Sequence, residues 1–176
     1  MRSVYPAAFG DRWAGLSASL QRFFASTRAF VGDFEVRSGN RLARVVRAIM
    51  RMPRPGPRVP VQLRVEETTT GETWRRSFRD KKLDSRQRRV GELVVDRFGP
   101  TEVWFALEAG THDVVMRQVR TVIRIGPLRI PWPRVLGPRI SGTMRDDGAL
   151  HVAVRVAAPL IGLVISYEGV VTEQDA

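Results

Sequence analysis

The sequence predicts an α+β fold that is mostly antiparallel β: a strongly curved meander sheet or a partly open β-barrel, with two helices packed on it. Three observations support this prediction. Apolar and polar residues alternate with a period of two through most of the chain after Val61. Turn dipeptides such as Thr70-Gly71 and Gly99-Pro100 separate the alternating segments. Strands and helices do not alternate as they do in a parallel Rossmann sheet.

An aromatic helix is predicted near the start of the chain. Asp11 is a plausible N-cap, and a helix of about fifteen residues after it would place one apolar stripe on a single face. The stripe consists of Trp13, Leu16, Leu20, Phe23 and Phe24. Because the stripe is aromatic, we expect this helix to pack on the sheet or into its concave side.

A second, basic helix is predicted after Ser38-Gly39-Asn40, which breaks the first strand and offers an N-cap. Its apolar face carries Leu42, Val45, Val46 and Ile49, and its other face carries Arg41, Arg44, Arg47 and Arg51. Such a helix can lie on an anionic membrane surface, or it can be a surface helix with a solvated polar face.

The predicted strands are short and joined mostly by tight turns. They span residues 30–37, 61–66, 74–78, 83–89, 93–98, 103–107, 114–125, 140–145, 150–157 and 163–171. Asp147-Gly148 between two alternating segments indicates a β-hairpin. Two proline-rich segments, 52–60 and 124–139, are expected to be connections, because proline has no backbone donor for a helix or a ladder. The second, apolar and arginine-rich, is expected to form a rim, a lid or a plug.

Size and composition indicate one domain over residues 1–176, with a helical segment at 1–29 and a β-rich part at 30–172. Cysteine is absent, which excludes disulfides and a cysteine nucleophile. The start of the chain lacks the apolar core of a signal peptide, and the longest apolar run, 157–165, is half a membrane span. We therefore expect a cytoplasmic protein.

The net charge of +11 comes almost entirely from arginine, since Lys81 and Lys82 are the only lysines. The surplus indicates either attraction to an anionic partner or the codon bias of a genome rich in G and C. The arginines are spread over almost every segment, with only Trp104 and Trp132 as candidate exposed aromatics. Nucleic-acid binding is therefore not expected.

No catalytic or metal motif is visible. His112 and His151 lie far apart without nearby ligands at metal-binding spacing, so neither a metal nor a cofactor is expected. Phosphate-binding loops and nucleophile elbows are missing. An enzyme on this fold would have to work through residues such as Asp96, Tyr167 or an inward arginine.

Arginines on otherwise apolar strand faces suggest a pocket for an anionic ligand head. Arg76 shares a face with Trp74 and Phe78, and Arg117 shares one with valines. The alternative is that these faces are solvated, or that the arginines pair with carboxylates across the sheet. The candidate ligand-binding residues are Trp74, Arg76, Arg117, Arg124, Ile130, Trp132, Leu136, Leu160 and Tyr167.

Four strings in order also carry a family resemblance. They are Glu-Thr-Trp-Arg-Arg-Ser-Phe at 72–78, Arg-Phe-Gly-Pro at 97–100, the segment 126–139, and Pro-Leu-Ile-Gly-Leu-Val-Ile-Ser-Tyr-Glu-Gly at 159–169. Their order and spacing resemble the bacterial family called domain of unknown function 4166, over residues 30–172. Members of that family also occur behind NAD(P)-binding saccharopine-dehydrogenase-like domains. The resemblance therefore implies an NAD(P)-binding oxidoreductase as a candidate partner, and it supplies no catalytic residues.

The sequence favours a non-enzymatic domain that binds a small apolar or anionic amphiphilic, lipid-like ligand. Two alternatives remain open at this point. One is a small barrel-type enzyme such as an isomerase or a cyclase. The other is an interaction domain that docks on an oxidoreductase or on the anionic surface of a membrane.

Overall fold

The chain folds as a closed antiparallel β-barrel of ten strands, with an additional short strand on its wall and helices at both ends. The computed structural model describes residues 4–25, 28–50, 52–79, 81–132, 137–145 and 147–174, without the side chains of residues 132 and 137–139. Within these ranges, most residues lie in strands, as the alternating sequence predicts.

The elements follow one another with few long connections. The helices are α1 (Val4–Phe9), a 3-10 helix (Gly10–Gly15), α2 (Ala18–Ala25) and α3 (Arg41–Ile49). The strands are β1 (Ala29–Ser38), β2 (Gly56–Thr68), β3 (Gly71–Phe78), β4 (Lys81–Val90), β5 (Leu93–Phe98), β6 (Thr101–Ala109), β7 (Asp113–Ile125), β8 (Leu128–Trp132), β9 (Gly137–Met144), β10 (Leu150–Ala158) and β11 (Gly162–Glu173).

The barrel closes through strand pairs that are antiparallel throughout. Each strand from β1 to β7 pairs with the next, β7 pairs with β9, and the series continues through β10 and β11 back to β1. Closure removes the free sheet edges that an open sheet of this size would expose. The predicted mostly antiparallel β fold is confirmed, and the barrel is closed rather than partly open.

The proline-rich segment 124–139 contains strands, so the prediction that it is only a connection is wrong. β7 runs on to Ile125, and β8 returns along it with Pro131 opposite Val122. Proline is tolerated there because β8 is an edge strand, which among the described strands pairs with β7 alone. The first proline-rich segment likewise enters β2 at Gly56. Leu136 lies outside the described residues.

The N-terminal segment also departs from the predicted single helix beginning at Asp11. It forms two short α-helices with a 3-10 helix between them. Gly10, whose φ of 57° lies in the left-handed region, ends α1, and the Ser17 hydroxyl accepts from Leu20 N at 3.4 Å to cap α2. The predicted stripe is nevertheless used, because Leu16, Leu20, Phe23 and Phe24 are all buried.

The two ends of the barrel differ. We call the end covered by α1, the 3-10 helix and α2 the foot. We call the opposite end, where β1, β3, β5 and β10 finish and where α3 lies, the mouth. Contacts at the foot include Arg12 Nη1 donating to the Leu107 carbonyl at 2.8 Å and Ser17 N donating to the Thr111 carbonyl at 2.8 Å. The N-terminal helices therefore plug the foot.

The hydrophobic core lies inside the barrel, between these ends. Inward positions alternate along each strand, as in β2, where Val59, Val61, Leu63 and Val65 are buried. Residues Leu150, Val154 and Val156 of β10 also point inward, as predicted.

None of the helices in the described residues has the length and apolar character needed to cross a membrane.

Candidate functional site

Arg76 of β3 points into the barrel. Its neighbours on the same face, Trp74 and Phe78, are buried, and Arg76 itself is partly buried. The guanidinium carbon lies 5.2 Å from the Trp74 ring centroid and 5.8 Å from that of Phe98, and Nη1 donates to Ser85 Oγ at 3.0 Å. These are cation–π distances. Among the described residues, Arg76 forms no ion pair within 4 Å; its direct contacts are two aromatic faces and one hydroxyl, and the Asp96 carboxyl lies near enough for its charge to interact with that of Arg76.

Asp96 of β5 lies inside the barrel near Arg76 and is almost completely buried. Its Oδ2 accepts from Gln87 Nε2 at 3.1 Å, whereas its Oδ1 has no hydrogen-bond partner within the described part of the chain. Burial raises the pKa of Asp96, and the Arg76 charge with the polar groups of Ser85 and Gln87 offsets only part of that rise. The interior therefore holds a strongly desolvated carboxyl group beside Arg76.

Tyr5 of α1 enters this polar arrangement from the foot. Its hydroxyl donates to Gln87 Oε1 at 2.7 Å, so that Gln87 links Tyr5 to Asp96. Burial, with the negative charges of Glu72 and Asp96, raises the pKa of Tyr5 well above its usual value. We call Tyr5, Arg76, Ser85, Gln87 and Asp96 the interior polar cluster.

Glu72 holds the plug in place beneath this cluster. It is buried, and it accepts from Val4 N at 2.9 Å and from Trp74 Nε1 at 3.0 Å. The Tyr5 ring packs at 4.5 Å from Phe24 and 5.9 Å from Trp74, measured between centroids. The foot of the barrel is thus closed by a specific, hydrogen-bonded plug.

Tyr167 of β11 also points into the barrel. Its ring stacks on Phe34 at 5.8 Å and meets Phe78 edge-on at 5.3 Å. Burial raises the pKa of Tyr167, the Arg76 charge opposes that rise, and the Asp96 charge adds to it. Its hydroxyl makes no hydrogen bond to another described residue. Because both Tyr167 and Arg76 are only partly buried, solvent reaches this level of the barrel.

Two of the predicted inward arginines lie on the outer wall. Arg117 is exposed and pairs with Glu108 at 2.5 Å, so the prediction that it points into a pocket is wrong. A bulge in the β6–β7 register between Trp104 and Phe105 shifts the alternation of β7, which the sequence could not reveal. Arg124 is also outside the barrel and pairs with Glu102 at 2.8 Å. The alternative of pairing with a carboxylate across the sheet is confirmed for Arg117, and Arg124 pairs in the same way with a glutamate that the sequence did not single out.

Two more of the predicted site residues, Ile130 and Leu160, lie at the mouth. Ile130 and Leu160 are exposed to solvent rather than lining the interior. The Trp132 side chain and the whole of Leu136 lie outside the described residues. The structure therefore brings together Trp74, Arg76 and Tyr167 from the predicted set. It adds Asp96, which the sequence singled out only for an enzyme.

Sequence reasoning missed Tyr5, Ser85 and Gln87. No sequence pattern indicates that Tyr5 enters the barrel, because it belongs to a six-residue helix and its hydrogen-bond partner Gln87 is 82 positions away in the sequence. Ser85 and Gln87 lie on β4, a strand in which polar side chains occupy both faces. Two inward polar residues disturb the apolar–polar alternation of that strand, and this poor alternation is the only sequence signal of the pair.

A separate open cleft of about 910 Å³ lies outside the barrel at the foot. It runs between α1 with the 3-10 helix on one side and the turn Thr69-Thr70-Gly71 with Arg89 on the other. Within the described ranges, no three histidine, aspartate or glutamate side chains lie close enough to hold a metal ion. His151 instead lies 3.0 Å from Glu168 on the outer wall.

A family model decides the identity of the domain. The model for a domain of unknown function, DUF4166, matches residues 16–171. The chain belongs to the DUF4166 family. The predicted resemblance is confirmed, and the match extends it toward the N-terminus to include α2, which helps to plug the foot of the DUF4166 barrel.

The DUF4166 barrel is similar to the crystal structure of Rv2717c from M. tuberculosis. The TM-score is 0.51 and the sequence identity is 11%, over 91% of this chain and 99% of that chain. At this identity the similarity concerns the fold alone. No curated protein matches the sequence significantly.

Proposed function

We propose that this DUF4166 protein is a non-enzymatic binding domain that holds a small amphiphilic ligand in its barrel, with an anionic head on Arg76. The observation that carries the proposal is the placement of Arg76 inside the barrel without an ion pair among the described residues. A cation is costly in such a place unless it is compensated. Asp96 lies nearby but makes no ion pair with Arg76, and an anionic ligand head would contact the guanidinium directly.

The surroundings of Arg76 suit such a head and a short apolar tail. Trp74 and Phe98 flank the guanidinium, and the aromatic lining continues through Phe78 on the same strand to Phe34 and Tyr167 on β1 and β11. Ligand sites are commonly apolar with a few convergent polar groups. Since the foot is plugged, entry would be from the mouth, where solvent already reaches Arg76 and Tyr167.

Mass spectrometry of small molecules extracted from the purified protein tests this proposal. Wild type should release an anionic amphiphile, and Arg76→Gln should release much less of it. Arg117→Gln is the matched control, since it removes the same charge from the outer wall. Arg76→Lys keeps the charge and should retain part of the ligand. Equal recovery from Arg76→Gln and Arg117→Gln, or no recovered molecule from wild type, would contradict the proposal.

A second candidate function rests on Asp96. Its raised pKa and unpartnered Oδ1, close to Arg76 and Tyr167, suit a general acid or base in an isomerase or cyclase. The same extraction experiment separates the two. If wild type yields a pair of isomers and Asp96→Asn yields only one, the barrel is an enzyme. If Asp96→Asn retains the same single compound, the binding function stands. The expected association with an NAD(P)-binding oxidoreductase stays a prediction.

A further inference from the structure

The apolar face of α3 is not buried in the barrel. The helix is capped as predicted, with Asn40 Oδ1 accepting from Ala43 N at 2.9 Å, and it packs on β11 through Ala43. Leu42 and Val45 are each more than half exposed, and Ile49 is 76% exposed. A helix normally turns such a stripe toward a core. Here Leu42, Val45 and Ile49 point away from the protein, whereas Val46 is partly buried against the core.

Further aliphatic side chains are exposed at the same end of the barrel. Leu160, in the turn between β10 and β11, is fully exposed and has a left-handed φ of 65°. Asn40 Nδ2 donates to the Ile161 carbonyl at 3.0 Å, which ties this turn to the start of α3. Ile125 and Leu128 are exposed at the tip of the β7–β8 hairpin, also at the mouth. We call α3, the 159–162 turn and the 125–130 hairpin the mouth rim.

Positive charge accompanies these aliphatic residues. Residues 36–58 contain no aspartate or glutamate, and the arginines among them are Arg37, Arg41, Arg44, Arg47, Arg51, Arg54 and Arg58. Arg41 and Arg44 are exposed on α3 beside the apolar stripe, and Arg129 is exposed in the hairpin. Arg47 is already engaged, since its Nη1 donates to the Pro53 carbonyl at 2.9 Å. The mouth rim is therefore both apolar and strongly basic.

We propose that the mouth rim docks on the anionic surface of a lipid bilayer. Exposed aliphatic residues would enter the boundary of the acyl chains while Arg41, Arg44 and Arg129 meet lipid phosphates, as in interfacial amphipathic helices. A second copy of the chain suits this surface poorly, because two basic rims would repel each other. Nucleic acid suits it poorly as well, since the exposed side chains are aliphatic and offer no stacking platform. Docking this way would hold the mouth of the barrel against the membrane.

Vesicle co-sedimentation of the full chain tests the proposal. We expect binding to equimolar phosphatidylglycerol–phosphatidylcholine vesicles, little binding to phosphatidylcholine alone, and weakening at high salt. Arg41→Gln with Arg44→Gln should lower the partition coefficient about 30-fold, because each arginine near an anionic surface contributes about 5-fold. Leu42→Ser with Ile49→Ser should lower it at least about tenfold, since these side chains would no longer be buried in lipid.

A matched control removes the same charge elsewhere. Arg64 and Arg86 are exposed on the barrel wall away from α3, and Arg64→Gln with Arg86→Gln should change binding by less than about threefold, because charges beyond the Debye length are screened. An equal loss in this control would show that net charge rather than the mouth rim is responsible, and would overturn the proposal. So would the absence of binding to the anionic vesicles. A dimer in light scattering that Leu42→Ser with Ile49→Ser abolishes would identify a second copy as the occupant instead.

Discussion

Two arginine–glutamate pairs join β6 to β7 on the outer wall, and they differ sharply in burial. Glu102 Oε1 lies 2.8 Å from Arg124 Nη1, with side-chain exposures of 4% and 29%. Glu108 Oε1 lies 2.5 Å from Arg117 Nε, with exposures of 54% and 60%. The same substitution at the two glutamates therefore compares a buried charge pair with an exposed one on the same pair of strands.

We expect Glu102→Gln to lower the free energy of unfolding by about 2–3 kcal/mol at pH 7. Breaking a buried pair usually costs about 3–5 kcal/mol, and the lower figure applies because Arg124 keeps some contact with solvent. The corresponding fall in Tm is about 4–12 °C for a chain of this size. Glu108→Gln should cost at most about 1 kcal/mol, since exposed pairs contribute little.

The pH dependence of the first variant follows from the pKa of Glu102. Burial disfavours the charge, but the hydrogen bond from Arg124 and the positive charges of Arg124, Arg88 and Arg129 outweigh it, so the pKa of Glu102 lies below its usual value. A carboxyl group with a lowered folded pKa stabilises the fold above its unfolded pKa of about 4.3. That contribution is lost as the pH falls through the folded pKa. The stability difference between wild type and Glu102→Gln should therefore shrink below about pH 4.

Equilibrium unfolding in urea, followed by tryptophan fluorescence at pH 7 and again in acid, measures both effects. Equal losses of stability in Glu102→Gln and Glu108→Gln at pH 7 would refute the reasoning from burial. A difference between wild type and Glu102→Gln that persists unchanged in acid would refute the role assigned to the Glu102 charge.

Two further predictions concern the barrel interior. Gly169→Ala should lower stability by about 1–3 kcal/mol, because the added Cβ would lie 2.2 Å from the Asp33 carbonyl oxygen and 2.3 Å from Phe34 Cδ1; an unchanged Tm would contradict this. Burial raises the pKa of Asp96, so the folded protein favours the neutral carboxyl group. Wild type should therefore lose stability relative to Asp96→Asn as the pH rises from about 4 through the folded pKa of Asp96. The loss should be at most about 1.4 kcal/mol per pH unit. A difference in unfolding free energy between these two proteins that stays constant from pH 4 to 7 would argue against that shift.

Alternation of apolar and polar residues was enough to predict most of the barrel. The inward sets of β2 and β10, the hairpin around Gly148 and the Asn40 cap of α3 are all local patterns that survive in the fold. Closure could not be predicted, because it depends on the pairing of β7 with β9, which passes over β8, and of β1 with β11, which lie at opposite ends of the chain. β8 was missed because its edge position, which tolerates Pro131, is a property of the assembled sheet.

The sequence predicted only those residues of the candidate site that lie on the same face of a single strand. Trp74, Arg76 and Phe78 share a face by simple alternation, and the structure places that face inward. For Arg117, a bulge in β7 reversed the outcome of the same reasoning. The interior polar cluster joins α1 to three strands, so its assembly depends on contacts that no local pattern encodes. The exposure of Leu42, Val45 and Ile49 also could not be predicted, because it depends on the packing of α3 against β11 through Ala43.

Titration with a dansyl-labelled fatty acid most directly tests whether Arg76 receives an anionic ligand head in the barrel. Wild type and Arg117→Gln should bind the probe with similar affinity. Arg76→Gln should bind it about 10–100-fold more weakly, because a charge-assisted hydrogen bond is worth about 1.5–3 kcal/mol. Thermal unfolding of each variant establishes that it is folded. Arg76→Gln that is folded and binds as tightly as Arg117→Gln would contradict the proposed site.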